Sequence, residues 1–176
     1  MMRERLLPLL LLICALAGCA STPVRTRPME TTAYCPCGEC NGYIRGHWYF
    51  LKLDFWNKRV ASGPNAGAPV TADTASGYDF QPPQPGLFSV DTMIHPWMLP
   101  VRLVFPWLWF SERGTIAADT DYYPFGTRMT VPGWGQGIVT DRGSAIKGPD
   151  RLDLLFRWHY QTEEWGRRRV EVEIEE

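Results

Sequence analysis

The chain lacks any surplus of positive charge: 18 Lys and Arg stand against 19 Asp and Glu over 176 residues, for a net charge of −1. A general nucleic-acid binder should show a basic patch or stripe, so that class is set aside. Histidine is scarce. None of His47, His95 and His159 is paired in sequence with a nucleophile, which leaves no triad to argue from. A P-loop is absent: Gly143-Ser-Ala-Ile-Lys147-Gly148 has neither the glycine spacing nor the Lys-Ser/Thr ending. No apolar run reaches the roughly 20 residues of a membrane-spanning helix. Internal repeats of the kind that build solenoids are missing too.

What is present favours one compact domain built of short strands. The hydrophobic fraction of 45% is enough for a core, and 16 Gly with 15 Pro place turn signals throughout. The N-terminus reads as an export signal: Arg3 and Arg5 precede an apolar run over residues 6–17 that is interrupted only by Pro8. It ends in Leu16-Ala17-Gly18-Cys19, which resembles the lipobox of bacterial lipoproteins. That resemblance implies that residues 1–18 are removed and that Cys19 carries lipid; an ordinary secretory signal with an incidental cysteine is the alternative. Ala20, where Gram-negative lipoproteins kept at the inner membrane carry Asp, points to the outer membrane facing the periplasm. Residues 19–30, polar and rich in Ser, Thr, Pro and Arg, are expected to be a tether, and the domain is expected to span residues 31–176.

Three cysteines remain in the domain, packed as Cys35-Pro-Cys37-Gly-Glu-Cys40. Export to an oxidising compartment permits a disulfide, Cys37 with Cys40 or Cys35 with Cys40, leaving one thiol over. Three thiolates so close also suit Zn²⁺, but only His47 offers a fourth ligand nearby in sequence. Free thiols are the third possibility.

Strand signals are spread along the chain. Residues 43–62 carry an aromatic and β-branched run, and strand pieces are possible over residues 70–75. Short apolar stretches recur at residues 115–118, 127–131, 137–140 and 152–156, and Val170-Glu-Val-Glu-Ile174 alternates without a break. Residues 162–165 suit one helical turn with Thr162 as cap and Gly166 as stop. Many short strands with turns between them suggest a small barrel. Residues 93–110 differ, being apolar with three Pro, three Trp and one basic residue. They are expected to cap the barrel or, alternatively, to lie at a membrane interface, where Trp is favoured.

Three acids adjoin β-like stretches: Asp119, Asp141 and Asp153. Asp153, among Leu152, Leu154, Leu155 and Phe156, is out of character for a buried strand. Apolar surroundings would raise its pKa and let it act as a general acid; simple alternation with a solvent-facing Asp153 is the plainer reading. Small residues around Gly143, with Lys147, suit a loop that approaches a ligand by its backbone.

The stretch GTIAADTDYYPFGTRMTVPGWGQGIVTDRGSAIKGPDRLDLLF resembles the three-aspartate, or 3D, domain, whose acids match Asp119, Asp141 and Asp153. TAYCPCGECNG upstream, TASG at residues 74–77 and the closing WGRRRVEVEI resemble further elements of that family, which includes membrane-bound lytic transglycosylase A and stationary-phase survival muralysins. The resemblance implies an all-β fold, a six-stranded double-psi β-barrel with an apolar insertion at residues 78–113. It implies cleavage of the MurNAc-β-1,4-GlcNAc bond of peptidoglycan glycan strands with a 1,6-anhydro product and no cofactor. Asp153 would be the catalytic acid and Asp141 its support. Asp119 would be a cleft-wall or structural acid, with Thr74, Lys147 and Gly143 as substrate contacts. No metal enters this reading. Arg142-Gly143-Ser144 departs from the Thr-Gly-Gly that often follows the middle acid of the family, and residues 78–113 are longer than its usual link. A glycan-binding lipoprotein that does not cut, and a glycoside hydrolase using two carboxylates on water, are the rival readings.

Overall fold

A computed structural model describes residues 23–46, 54 and 56–175. The signal, the lipobox with Cys19, and His47 lie outside the described residues.

Six strands close into a barrel: β1 (Val24–Tyr34), β4 (Gly114–Ala118), β5 (Arg128–Val131), β6 (Gly135–Asp141), β7 (Arg151–Leu155) and β8 (Arg168–Glu175), in the spatial order β1-β7-β4-β6-β5-β8. β1 with β7 and β4 with β6 are parallel; the other pairs are antiparallel. Only β5 and β6 are both consecutive in the barrel and neighbours in it. The other four connections each step over one strand: β7 lies between β1 and β4, β6 between β4 and β5, β4 between β6 and β7, and β1 between β7 and β8. These crossovers give the barrel its double-psi outline. Two further strands, β2 (Tyr43–Arg45) and β3 (Lys58–Val60), pair as a separate antiparallel ribbon from within the long strand-like run. Residues 70–75 form no strand.

Alternation decides which side chains fill the barrel. Met29, Ile116, Ala118, Met129, Val131, Val139, Leu152, Leu154, Val172 and Ile174 join one buried cluster. The glycines of β6 make room for it: a Cβ on Gly137 would lie 2.5 Å from Ile116 Cδ1 and 2.6 Å from the Trp134 ring. The Trp134 indole donates to the Leu155 carbonyl at 3.1 Å, so its polar edge is satisfied inside the wall.

The barrel starts earlier than the sequence suggests. β1 begins at Val24, inside the expected tether, and pairs with β8 from Val24↔Glu175 to Thr31↔Arg168. Its first residues look like a linker because Val24, Arg25, Thr26 and Pro28 are exposed along the rim. The alternating β8 needs this partner to satisfy its backbone. The late helix also runs longer than expected, as α4 (His159–Trp165), after the short α1 (Gly38–Asn41), α2 (Val90–Ile94) and α3 (Leu99–Val104). Thr162 sits inside α4 and donates to the His159 carbonyl instead of capping, while Gly166 ends the helix with φ 61°.

The apolar insertion does not cap the barrel. α2, α3 and two short 3-10 turns form a protrusion whose Phe88, Met93, Trp97 and Trp107 are exposed, Phe88 at 98% and Met93 at 82%. A polar knot holds it together. Buried Arg102 bonds Asp91 and Thr92, and the Trp109 indole donates to the Arg102 carbonyl at 2.7 Å. The Pro-broken sequence forms helices too short to wrap around the barrel, so its aromatic side chains face outward. No helix among the described residues is long and apolar enough to cross a membrane.

Candidate functional site

Asp153 occupies the outer face of β7, between the inward Leu152 and Leu154. Alternation therefore holds, but this outer face is not open solvent. Tyr34, Ala117 and Leu155 form a second buried cluster there, with Phe80 and Cys40 against it. Half-buried at its edge, the Asp153 carboxylate accepts a hydrogen bond from Thr32 Oγ1 at 2.8 Å. Its pKa is raised, chiefly because burial disfavours the charge, with the neighbouring Asp141 adding repulsion. The Thr32 hydroxyl and the Leu154 amide pull the other way without cancelling the rise.

Asp141 reaches the same face through a backbone irregularity. Ile116 pairs with Val139, but the next residue of β4, Ala117, pairs with Asp141, leaving Thr140 as an extra residue. In a regular strand Asp141 would share the inward face of Val139. The bulge turns it outward, a common use of bulges beside functional sites. Thr140 Oγ1 is buried without a hydrogen-bond partner. Ala117 is paired with Asp153 on its other side, so the two acids flank one small residue across a span of about 9.6 Å of backbone.

Both carboxylate oxygens of Asp141 are engaged. The Tyr34 hydroxyl donates to Oδ2 at 3.1 Å and the Ala75 amide to Oδ1 at 2.9 Å. The Tyr34 phenol is pushed far above its usual range, first by burial and then by the Asp141 charge, so it remains a donor. Ala117 leaves room for the Tyr34 ring, which Phe80 meets edge-on at 5.8 Å between ring centres.

Asp119 stands apart from this pair. Its carboxylate accepts from the Gly148 amide at 2.8 Å and the Asp121 amide at 3.2 Å, and these bonds lower its pKa. It ties the loop after β6 to the end of β4. Gly143 belongs to that loop and packs closely, since a Cβ there would lie 2.8 Å from Ile146 Cγ1. Lys147 is exposed and adds a minor charge to Asp119. Thr74 is buried: its hydroxyl donates to the Tyr78 carbonyl at 2.7 Å and accepts from the Tyr78 amide at 3.0 Å. It shapes the loop that presents Ala75 to Asp141, instead of facing a ligand itself.

A groove of about 590 Å³ runs beside the acids, lined by Ser76, Tyr78, Gln81, Arg113, Thr115 and Thr140 among others. Ser76 anchors its near end, donating to the Thr140 carbonyl at 2.5 Å. The acids lie past that end and not in its wall.

The domain cysteines converge with a residue to which the sequence alone assigns no role. Cys35, Cys37 and Cys40 are free thiols in the structure, and His159 of α4 meets all three. Its Nδ1 lies 3.6, 3.5 and 3.6 Å from their respective sulfurs. No local signal marks this histidine, because 119 residues separate it from Cys40. Thr32, Tyr34, Ala75 and Ala117 escape notice for the same reason; their roles depend on register between distant strands.

Part of the chain resembles known proteins. Residues 114–175 match the family model described as 3D domain. Over 59 residues the chain is 37% identical to YabE of Bacillus subtilis strain 168, which is named for cell wall shaping, covering 34% of this chain and 14% of YabE. It is 32% identical over 59 residues to YocH of the same organism, named a cell wall-binding protein, covering 34% of this chain and 20% of YocH. The chain thus matches less than a quarter of the length of either relative. The crystal structure of MltA from E. coli overlaps 38% of this chain and 25% of its own, at 19% identity and a TM-score of 0.30. Residues 114–175, which supply β4 to β8 of the closed barrel, are thus the part of the chain that matches the 3D domain.

Proposed function

We propose that the chain is a peptidoglycan lytic transglycosylase that cleaves the MurNAc-β-1,4-GlcNAc bond with Asp153 as its single catalytic acid. The observation that carries this reading is the asymmetry of the two neighbouring carboxyls. Asp153 is biased toward its protonated form, while Asp141 has both oxygens engaged by Tyr34 and Ala75. One carboxyl with a raised pKa beside another whose oxygens are held by donors leaves a single acid free to give a proton.

The chemistry follows from that split. Asp153 donates its proton to the bridging oxygen as the C1–O bond breaks. The C6 hydroxyl of the same MurNAc closes on C1, and its proton passes to the Asp153 carboxylate. The acid is thereby restored without water entering. A water-using glycosidase needs its second carboxylate free to activate water or attack C1. Asp141 is poorly placed for either role, and its negative charge instead supports positive charge developing at C1. The adjoining groove, with Gln81, Arg113 and Thr115 among its lining residues, is suited to hold neighbouring sugars.

A non-catalytic glycan binder is the second reading, favoured by the similarity to YocH. Digestion of purified sacculi followed by mass analysis separates the possibilities. Released fragments with 1,6-anhydro ends support transglycosylation, reducing ends support hydrolysis, and pull-down without release supports binding alone.

We also propose that Cys19 is lipidated and that the chain sits in the cell envelope, at the outer membrane facing the periplasm. β1 starts at Val24, so residues 20–23 alone separate that cysteine from the barrel. At about 3.3–3.6 Å per residue they hold the barrel within roughly 20 Å of the lipid surface.

A further inference from the structure

We propose that Cys35, Cys37, Cys40 and His159 form a structural Zn²⁺ site that clamps the segment after β1 to the start of α4. The four side chains each offer one ligand atom, and these atoms lie within 4.8 Å of one another. Three thiolates and one imidazole make a closed structural set for Zn²⁺.

The geometry favours a tetrahedral ion over a disulfide. With Zn–S of about 2.3 Å and Zn–N of about 2.0 Å, a tetrahedron has sulfur–nitrogen edges of about 3.5 Å. Nδ1 of His159 is 3.5–3.6 Å from all three sulfurs. The Cys35 sulfur lies 3.5 Å from that of Cys40 and 2.8 Å from that of Cys37. The second edge must open toward about 3.8 Å to hold the ion. A disulfide within the cluster would pair two thiols, strand the third and leave the imidazole position without a purpose.

The surroundings also suit a metal. Nε2, the other nitrogen of His159, faces Glu39 at 3.5 Å and Glu163 at 3.9 Å. A carboxylate behind a ligating histidine fixes its tautomer and orientation. Cys37 caps α1, its sulfur accepting from the Cys40 amide at 3.5 Å, a contact that steadies a thiolate. Asn41 donates to the Cys35 carbonyl at 2.5 Å and to the Cys37 carbonyl at 3.2 Å, and Tyr43 donates to the Pro36 carbonyl at 2.5 Å, so the loop is held in shape from within. Binding releases protons from the thiols and changes no oxidation state.

The consequence reaches the acids. Tyr34, which bonds Asp141, directly precedes Cys35, and Cys40 packs beside Tyr34 in the outer cluster. An ion at the cluster therefore fixes the last residue of β1 and the Tyr34 hydroxyl with it. The zinc assignment does not depend on the proposed enzymatic activity.

The test uses the full-length protein purified under reducing conditions and supplied with Zn²⁺ alone. Elemental analysis should find one zinc per chain after dialysis. Zinc should protect all three domain thiols from a thiol reagent, and Co²⁺ in its place should give the strong visible absorption of a tetrahedral thiolate site. His159→Ala should weaken zinc binding at least tenfold; the half-exposed side chain makes a folded variant the expectation, checked by circular dichroism. Glu39→Gln with Glu163→Gln, both at exposed positions, should weaken it 10–100-fold and serves if the histidine variant misfolds. Failure of the reduced protein to retain zinc, or equal thiol reactivity with and without zinc, would overturn the assignment. So would a Cys37–Cys40 disulfide that persists in place of zinc uptake.

Discussion

Replacing Asp153 with Asn should move activity and stability in opposite directions. Asn keeps the size of the side chain and can still accept from Thr32 Oγ1, now at 2.8 Å, so the local bond is retained. What it removes is a proton that can be given away. General acid catalysis contributes about 10²–10⁴-fold, which corresponds to roughly 3–5 kcal/mol of barrier. The release of anhydro fragments from sacculi should fall by that factor. Stability should change the other way. Burial and Asp141 raise the native pKa of Asp153 above its unfolded value, so the native state binds more protons than the unfolded state between the two. Stability therefore declines as pH rises through that window, and the penalty is fully present above the native pKa. The neutral amide of Asp153→Asn carries no such penalty, so the variant should melt higher than the parent near neutral pH. The gain should vanish below the unfolded carboxylate pKa of about 3.9. Paired thermal melts and digestions across pH test both halves. Undiminished cutting by the variant would refute Asp153 as the acid, and a lower melting temperature at neutral pH would refute the argument from burial.

Ala117→Val should crowd the ring of Tyr34, costing about 1–3 kcal/mol in denaturant melts and reducing cutting as the Tyr34–Asp141 bond is displaced. Asp119 contributes in the opposite pH direction to Asp153. Its native pKa is lowered by the Gly148 and Asp121 amides, so its contribution is present above the unfolded pKa and lost as pH falls through the native one. The protection factor of the Gly148 amide, its exchange rate relative to an unstructured amide at the same pH, should fall on acidification, and Asp119→Asn should remove much of that pH dependence. Trp97→Ser with Trp107→Ser, both at exposed positions, should lower affinity for phospholipid vesicles at least about tenfold while leaving the melting temperature nearly unchanged.

Local patterns carried much of the barrel. The alternation of Val170, Val172 and Ile174 and the flanking of Asp153 by Leu152 and Leu154 survive intact as inward faces of β8 and β7. The beginning of the barrel was harder to read, because a rim strand with one wet edge has the composition of a linker. Exposed Val24, Arg25 and Thr26 reveal their role only once β8 is placed beside them. The insertion departs from the capping its composition suggests for a related reason. Apolar composition signals a need for cover without saying what supplies it, and here the barrel wall does not.

The candidate site was legible in its acids and hidden in their aim. Period-two reasoning from the buried Val139 sends Asp141 into the barrel, where an unpaired carboxylate would be prohibitively costly. Thr140 resolves the conflict by adding one residue to β6 without a matching one in β4. Asp141 then meets Tyr34 from β1 and Ala75 from a separate loop, neither near it in sequence. His159 follows the same logic, since it joins three cysteines only because β7 runs parallel to β1 and delivers α4 to the end where β1 stops. Both constellations are therefore products of barrel closure. A change that slipped β7 by one residue against β1 would turn Asp153 inward, separate it from Thr32 and carry His159 away from the thiols together. Loss of acid function and loss of thiol clustering should accordingly appear as one cooperative event on unfolding, and not as two.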